Sequence, residues 1–525
     1  MAFESELTQV QAMQAKKDGQ FHSRYEKAIA EQLKELKKPQ TFQNIIGAKR
    51  GKGTKTFDKF SPNDRKLLLG KFQLGTRSDV NAAVKAAWKA YPEWSKLDYV
   101  RRVEIFERAV KLYREHLFEL AAAVTLDNGK NRAEAVADVD EAIDFMAYYS
   151  DQMRKNEGYR TKLGVAYEGE SSISVLQPYG VWSVVCPFNF PVAISVGMSA
   201  AAMITGNTVV IKPSSLAPFS FYKAFQLLEE AGLPPGVANL VSGPGKVVGD
   251  AMVTHPNVEG VVFTGSKDVG FSIIRNSVRE YPRPVIAEMG SKNAIIVTKN
   301  SDIDKAVDGV IKSAFGYSGQ KCSACSRLYV DSGMRKEFES LLVERANRLE
   351  VSDPTDRGCD LGPVIEQTKV KDFHSYVAQG KRDGKVLCGG TQVKEGKLAD
   401  GNYVSPTIVT RLPDGHELVT KELFLPFLVT QGFRKLEKAV QKANSSVYGL
   451  TGGIFSDDQS EIDYYFDHIH SGVVYANRRR GGCTGAMVGA QSFVGWGASG
   501  SMGKGTGGIY YLQQFMREQT MTVAT

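Results

Sequence analysis

Apolar and polar positions follow two rhythms along this chain, a helical one and a mixed strand-and-helix one. Up to about residue 40 the sequence is polar and charged with helical spacing, and Gly19 reads as a break in it. Near Asn44-Ile45-Ile46-Gly47 the pattern turns to short strands and turns. Ser78-Asp79 then stands before Val80, Ala83, Val84, Ala87 and Trp88, a capping signal followed by apolar residues on one helical face. Val103, Phe106, Val110, Tyr113 and Leu117 repeat that spacing and predict a helix over 101–120; another is expected from Ala133 to Tyr149. These stripes read as core.

From Ile173 onward short apolar strands alternate with helical stretches. Strands are predicted at Gly180 to Val185, Val209 to Ile211, Val237 to Val241 and Gly260 to Phe263. Helices are predicted at Pro191 to Ile204, Phe219 to Ala231 and Gly245 to His255. This alternation implies an α/β fold with a parallel sheet covered by helices, in which ligands bind at the carboxyl ends of the strands. A second alternating block starts at Val285, and a β-prone run from Ile509 to Val523 closes the chain. Between Ser171 and Ile211 there is no Asp, Glu, Lys or Arg. A membrane span needs about 20 apolar residues. Here Pro178, Pro187, Asn189, Pro191 and Gly206-Asn207 interrupt the run, so it reads as buried strand, turn, helix and second strand.

Composition narrows the class. The 525 residues are 42% apolar and 24% charged, ordinary globular values. A chain of this length implies two to four domains at roughly 150 residues each. The net charge of +8 is modest, and the densest basic run, Arg478-Arg479-Arg480, is short. That fits a solvated surface attractive to anionic small molecules better than a nucleic-acid interface. Glu4 and Glu6 follow Met1-Ala2-Phe3 at once, so no secretory signal is read and a cytoplasmic protein is expected. Six scattered cysteines fit a reducing compartment. Cys322-x-x-Cys325 lacks further ligands close by, so no metal site is expected.

Four local features carry chemistry. Cys322, in Gly319-Gln320-Lys321-Cys322-Ser323, sits in a loop beside a lysine, which favours thiolate; taken alone, a buried structural thiol is the plainer reading. Glu288 follows the strand-like Pro284-Val285-Ile286 and suits a general base, though a surface ion pair is the plainer reading. Phe263-Thr264-Gly265-Ser266, between a strand and a helix, offers backbone N–H groups to a phosphate. Asn189, in Pro187-Phe188-Asn189-Phe190-Pro191, is an uncharged amide suited to an oxyanion.

Taken in order, Asn189, Ile211-Lys212-Pro213-Ser214, Leu233-Pro234-Pro235-Gly236-Val237, Gly265-Ser266, Glu288, Gly319-Gln320-Lys321-Cys322, Glu422-Leu423-Phe424 and Tyr448-Gly449-Leu450-Thr451-Gly452-Gly453 resemble the aldehyde dehydrogenase superfamily from about Asn44 to the C-terminus. The resemblance implies a Rossmann-type cofactor domain, an α/β catalytic domain and a small β oligomerisation element. The expected bounds are 1–154 with 177–287, then 288–490, and finally 155–176 with 491–525. It implies that Cys322 attacks the aldehyde, that Asn189 and the Cys322 N–H hold the oxyanion, and that Glu288 activates water. It places Lys212, Ser215, Gly245, Phe263, Gly265, Ser266, Glu422 and Phe424 around NAD or NADP. Ser215 stands where the family commonly has the Glu that repels a 2′-phosphate, which leaves both cofactors open. Ser291 stands where Gly is frequent, and Leu425 where Gly is usual.

The C-terminal Thr484-Gly485-Ala486-Met487-Val488-Gly489-Ala490-Gln491-Ser492-Phe493 and Cys322-Ser323-Ala324 resemble the branch of this family that oxidises L-glutamate 5-semialdehyde. That resemblance implies an α-carboxylate held by Ser323 and the amides of Gly485 and Ala486, an aliphatic chain between Phe188 and Phe493, and Asp138 on the substrate amine. Ser492 and Val494 depart from the usual Pro and Gly. Another carboxylated or amino aldehyde, succinic or aminoadipic semialdehyde, is the alternative substrate. A homo-oligomer is expected from an exposed strand edge.

Overall fold

The computed structural model describes residues 19–38, 40–51, 53–478 and 487–525. Two seven-stranded sheets and a three-stranded antiparallel sheet organise most of the fold. The first large sheet runs Val285–Met289, Gly260–Gly265, Val181–Val185, Thr208–Lys212, Ala238–Leu240, Ile45–Ile46 and Lys49–Arg50. Its first five strands are parallel and the last two join antiparallel. The second runs Lys385–Cys388, Thr407–Thr410, Phe427–Phe433, Cys325–Asp331, Asn293–Val297, Thr451–Phe455 and Val473–Ala476, parallel except for the antiparallel Lys385–Cys388 edge. The α/β architecture expected from the alternating pattern is the one observed.

The parallel strands are buried on both faces, which is why they read as near-continuous apolar runs. Every residue of Thr208–Lys212 is buried. The helix Ala193–Ile204 is apolar almost all round because it packs against the buried helix Arg132–Lys155. Gly197 makes that approach close: a Cβ there would lie 2.8 Å from the Phe145 ring. The uncharged stretch 171–211 is therefore strand Glu170–Pro178, strand Val181–Val185, this helix and strand Thr208–Lys212. Among the described residues no helix is long and apolar enough to cross a membrane.

Local expectations needed four corrections. The helix Arg77–Lys96 is capped by Thr76, whose side chain accepts the Asp79 N–H while Asp79 returns a bond to the Thr76 N–H; Ser78 lies inside it. The segment 101–120 is two helices, Tyr99–Glu115 and Leu117–Asn128, meeting at His116. Residues 245–254 form a π turn, Gly245–Gly249, then a short α-helix, Asp250–Thr254. The C-terminal strand starts only at Met516, after a 3-10 turn at Leu512–Phe515. That strand, Met516–Ala524, pairs antiparallel with Glu170–Pro178 and exposes every residue after Met516.

Candidate active site

The first sheet ends its parallel strands on one side of a cleft. Cys186, Pro187, Phe188 and Asn189 follow Val181–Val185, Ser214 follows Thr208–Lys212, Ser266 follows Gly260–Gly265, and Gly290 follows Val285–Met289. The second sheet faces them with the loops that enter its strands: Cys322 before Cys325–Asp331, and Glu422, Leu423 and Phe424 before Phe427–Phe433. Together with Phe263, Thr264, Gly265, Val269, Glu288, Met289 and Lys369 they line one cavity of about 380 Å³. The structure thus gathers Cys322, Asn189, Glu288, Phe188, Phe263, Gly265, Ser266, Glu422 and Phe424 around a single space.

The loop carrying Cys322 is built on backbone that most residues avoid. Tyr317 (φ 50°, ψ 40°), Ser318 (φ 52°, ψ 35°) and Gly319 (φ 68°) are successive left-handed residues. Each non-glycine there costs about 1–2 kcal/mol. Side-chain bonds hold the shape. Tyr317 Oη donates to Asn128 O at 3.0 Å, and Ser318 Oγ to Gly362 O at 2.6 Å. Gly319 lies so close to the Leu425–Pro426 backbone that a Cβ would sit 2.2 Å from Leu425 O. Lys321 Nζ pairs with Glu134 Oε1 at 3.0 Å. Cys322 itself is half-buried, open to the cavity, whereas Cys325 is buried and its Sγ donates to Arg327 O.

Glu288 lies on the edge strand Val285–Met289, which residues 499–501 cover through Met289 N to Ser499 O and Ser501 N to Ala287 O. Burial alone pushes its carboxyl well above the ordinary range, and its Oε2 meets no hydrogen-bond partner among the described residues. A carboxyl with raised basicity and a vacant oxygen is suited to take a proton from water.

Asn189 is buried. Asn128 Nδ2 reaches its carbonyl at 3.5 Å and that of Phe188 at 3.3 Å, while Asn128 O receives the Tyr317 hydroxyl. One residue thereby joins the Asn189 loop to the Cys322 loop. Asp138, expected on the substrate amine, does something else. Its Oδ2 pairs with Lys130 Nζ at 3.0 Å, its Oδ1 accepts Ala193 N–H at 2.7 Å, and it is fully buried. Both oxygens are engaged inside the protein, and Asp138 is not part of the cavity lining. It caps the helix behind Asn189, and Lys130 lies 3.4 Å from the centre of the Phe190 ring.

Glu422 accepts the Ser291 N–H at 2.8 Å, and burial raises its pKa to about 7. Gly290 makes room for it, since a Cβ there would lie 2.0 Å from Glu422 Oε2. Phe424 adopts φ 58° and its ring meets Phe188 edge-on at 5.7 Å. Ser266 caps the helix Lys267–Asn276, which turns that N-terminus toward the cavity. Lys212 and Ser215 lie outside the cavity lining. Lys212 is buried, which lowers its pKa to about 8, and Nζ donates to Pro213 O; Ser215 Oγ donates to Gly243 O at 3.0 Å; Gly245 opens the π turn. Ser323 is buried beside Cys322, its carbonyl accepting the Thr451 hydroxyl. Phe493 pairs with Thr506 through both backbone N–H groups. Gly485 and Ala486 lie outside the described residues.

Sequence reasoning missed Cys186 and Lys369 in the lining, and Asn128, Lys130 and Asn293 behind it. Cys186 had a signal, since it follows a predicted strand directly. The others contact the site only through long-range pairing.

The chain belongs to the aldehyde dehydrogenase family, whose model matches residues 49–521; it is an oxidoreductase of that α/β fold. Its similarity is marked to a 1-pyrroline-5-carboxylate dehydrogenase of Geobacillus sp. (strain WCH70), 36% identical over 506 residues, 94% of this chain and 96% of that one. The solved 1-pyrroline-5-carboxylate dehydrogenase from Thermus with bound NAD superposes with a TM-score of 0.90 at 34% identity, covering 95% and 96% of the two chains. Proline utilization A from Bdellovibrio bacteriovorus matches with a TM-score of 0.91 at 35% identity; this chain covers 52% of it, about half its length.

Proposed function

We propose that this enzyme oxidises L-glutamate 5-semialdehyde, the open form of 1-pyrroline-5-carboxylate, to L-glutamate with NAD, by covalent catalysis on Cys322. The observation that carries the reading is the meeting of Cys322, Asn189 and Glu288 in one cavity with Glu422 and the Gly265-Ser266 turn. The names of the long, well-covered relatives support the substrate and the cofactor.

The residues present fit a dinucleotide. A buried carboxylate with room made by Gly290 suits ribose hydroxyls, and a helix N-terminus at Ser266 suits a phosphate. Lys212, Ser215, Gly245, Phe263 and Phe424 complete that seat in this reading. When bound, the nicotinamide supplies a hydride acceptor. Cys322 adds as thiolate to the aldehyde carbon, and the resulting oxyanion takes hydrogen bonds from the Asn189 amide and the Cys322 N–H. Loss of hydride from that carbon leaves a thioester on Cys322. Glu288 then removes a proton from water, the new hydroxide adds to the thioester carbon, and the Cys322 thiolate departs to release the acid. Phe188 and Phe493 flank the aliphatic chain, and Ser323, Gly485 and Ala486 hold the α-carboxylate.

The division into a cofactor unit (1–154 with 177–287), a catalytic unit (288–490) and an oligomerisation element (155–176 with 491–525) belongs to the same reading. The exposed edge of Met516–Ala524 supports a homo-oligomer, and we place the enzyme in the cytoplasm. The test is a panel of semialdehydes with NAD and with NADP, following reduced nicotinamide. The glutamate semialdehyde should be turned over fastest and Cys322→Ala should be inert. Brisk turnover of succinic or aminoadipic semialdehyde beside a poor response to 1-pyrroline-5-carboxylate would reassign the substrate. Undiminished activity of Cys322→Ala would sink the mechanism.

A further inference from the structure

The loop that bears Cys322 is held from below by a side chain with no place in the chemistry above. Asn293 opens the strand Asn293–Val297 and is buried. Its Nδ2 donates to Cys322 O at 2.7 Å and to Ala324 O at 3.0 Å. Its Oδ1 accepts the Thr451 N–H at 2.9 Å and the Ser291 hydroxyl. An amide offers two N–H donors and two oxygen lone pairs, and here all four are used. The assignment of N and O is forced, because carbonyls only accept and the Thr451 N–H only donates.

The strand geometry aims this amide. Asn293 is in register with Cys325 but Ala294 with Arg327, so the partner strand carries one extra residue at this point. Such a bulge turns a side chain out of the regular ladder and is frequent beside active sites. Asn293 thereby reaches the carbonyls of Cys322 and Ala324, one on each side of Ser323 in sequence.

A second link leads away from Asn293. Ser291 donates its hydroxyl to Asn293 Oδ1 and its backbone N–H to Glu422 Oε1 at 2.8 Å. Glu422, Ser291, Asn293 and Cys322 are therefore consecutive members of one hydrogen-bonded chain. It runs from the carboxylate in the cofactor seat to the carbonyl of the nucleophile.

We propose that Asn293 is a positioning residue for the covalent step, clamping the carbonyls of Cys322 and Ala324, and that the Ser291 hydroxyl ties this clamp to Glu422. The proposal rests on the reading of Cys322 as nucleophile. Holding the Cys322 carbonyl restricts rotation about its Cα–C bond, and so limits where its Cα–Cβ bond and the N–H expected to meet the oxyanion can point. A thiol displaced by about 1 Å loses on the order of a hundredfold in rate.

Asn293→Asp tests this, because the carboxylate is nearly the same size but has no N–H to give the two carbonyls. The readouts are kcat, NAD affinity by fluorescence titration, and the pH profile of Cys322 alkylation by iodoacetamide, with the label mapped by mass spectrometry. Expected are a fall in kcat of about a hundredfold, a shifted alkylation profile and NAD affinity within about threefold of the parent. An alkylation profile like that of the parent overturns the proposal, even where kcat falls. Should Asn293→Asp fail to fold, Ser291→Ala decides: it keeps the N–H bond to Glu422 and removes only the hydroxyl. It should slow alkylation by about threefold or more, and a parental rate overturns the proposal. Cys322→Ala separates the two failures. Activity surviving in it overturns the nucleophile reading and this proposal with it; activity lost in it beside parental alkylation in the Asn293 or Ser291 variant overturns this proposal alone.

Discussion

Lys130 Nζ lies 3.0 Å from Asp138 Oδ2, and neither side chain is exposed to solvent. Two charges without water are tolerated because each has partners: Asp138 also receives the Ala193 N–H, and Lys130 lies against the faces of Phe190 and Tyr317. The pair sits behind the loop that presents Asn189 and keeps the start of helix Ala193–Ile204 in place.

Removing one partner should leave the other charge stranded. Asp138→Ala is expected to lower the unfolding free energy by about 3–5 kcal/mol, read from urea denaturation midpoints. The KM for the aldehyde, in whatever protein remains folded, should change less than kcat, since both Asp138 oxygens are engaged inside the protein and Asp138 does not line the cavity. A raised KM with unchanged stability would return Asp138 to the substrate site.

Glu288 should show a pH dependence opposite to that of a salt-bridged carboxylate. Its native pKa is raised by burial above the ordinary value of 4.5. As pH rises past that value the unfolded chain ionises first and binds fewer protons than the native one. Stability is then lost with rising pH until the native carboxyl also ionises, at up to about 1.4 kcal/mol per unit. Glu288→Gln removes the penalty, so without cofactor it should melt higher than the parent at alkaline pH and alike in acid. The same variant should give a burst of reduced nicotinamide and then stall with the thioester unhydrolysed. Steady turnover at the parental rate would mean another group activates the water.

What the sequence disclosed and what it withheld divide along contact range. The parallel strands were legible because their apolar runs are short and regularly interrupted, whereas Cys322, Glu288 and Asn189 were ambiguous singly and were singled out by their order along the chain. The expectation for Asp138 came from the family resemblance, which does not show that Lys130, eight residues earlier, is folded against it. The break at His116 escaped notice because apolar spacing continues through it. Asn293 gave no signal, since its four bonds join segments up to 158 residues apart. The left-handed turn at Tyr317 and Ser318 was equally silent, because neither residue type favours that conformation.

Glu422 should make cofactor affinity depend on pH near neutrality. Burial places its pKa at about 7, so in mildly acidic solution a large share of the molecules carry it protonated. A carboxylate accepts from ribose hydroxyls more strongly than the neutral acid. The KM for NAD should therefore fall as pH rises through about 7 and level off above it. Glu422→Gln should raise KM at high pH and flatten the profile. A profile that stays pH-dependent in Glu422→Gln would assign the titration to another group.

Ser215 should decide how far the enzyme distinguishes NAD from NADP. Its hydroxyl donates to Gly243 O at 3.0 Å, so the position presents a small uncharged group. In the proposed cofactor seat that hydroxyl carries no charge to repel a phosphate on the adenosine ribose. A carboxylate in its place would face that phosphate at short range, where two like charges 4 Å apart repel by about 1 kcal/mol in water and about 4 kcal/mol near a protein surface. Ser215→Glu is therefore expected to lower kcat/KM for NADP by about tenfold or more while leaving that for NAD within about threefold. The effect should shrink in high salt if the group is solvent-exposed. An unchanged ratio of the two specificity constants would show that residue 215 does not face the ribose, and that cofactor choice is made elsewhere in the seat.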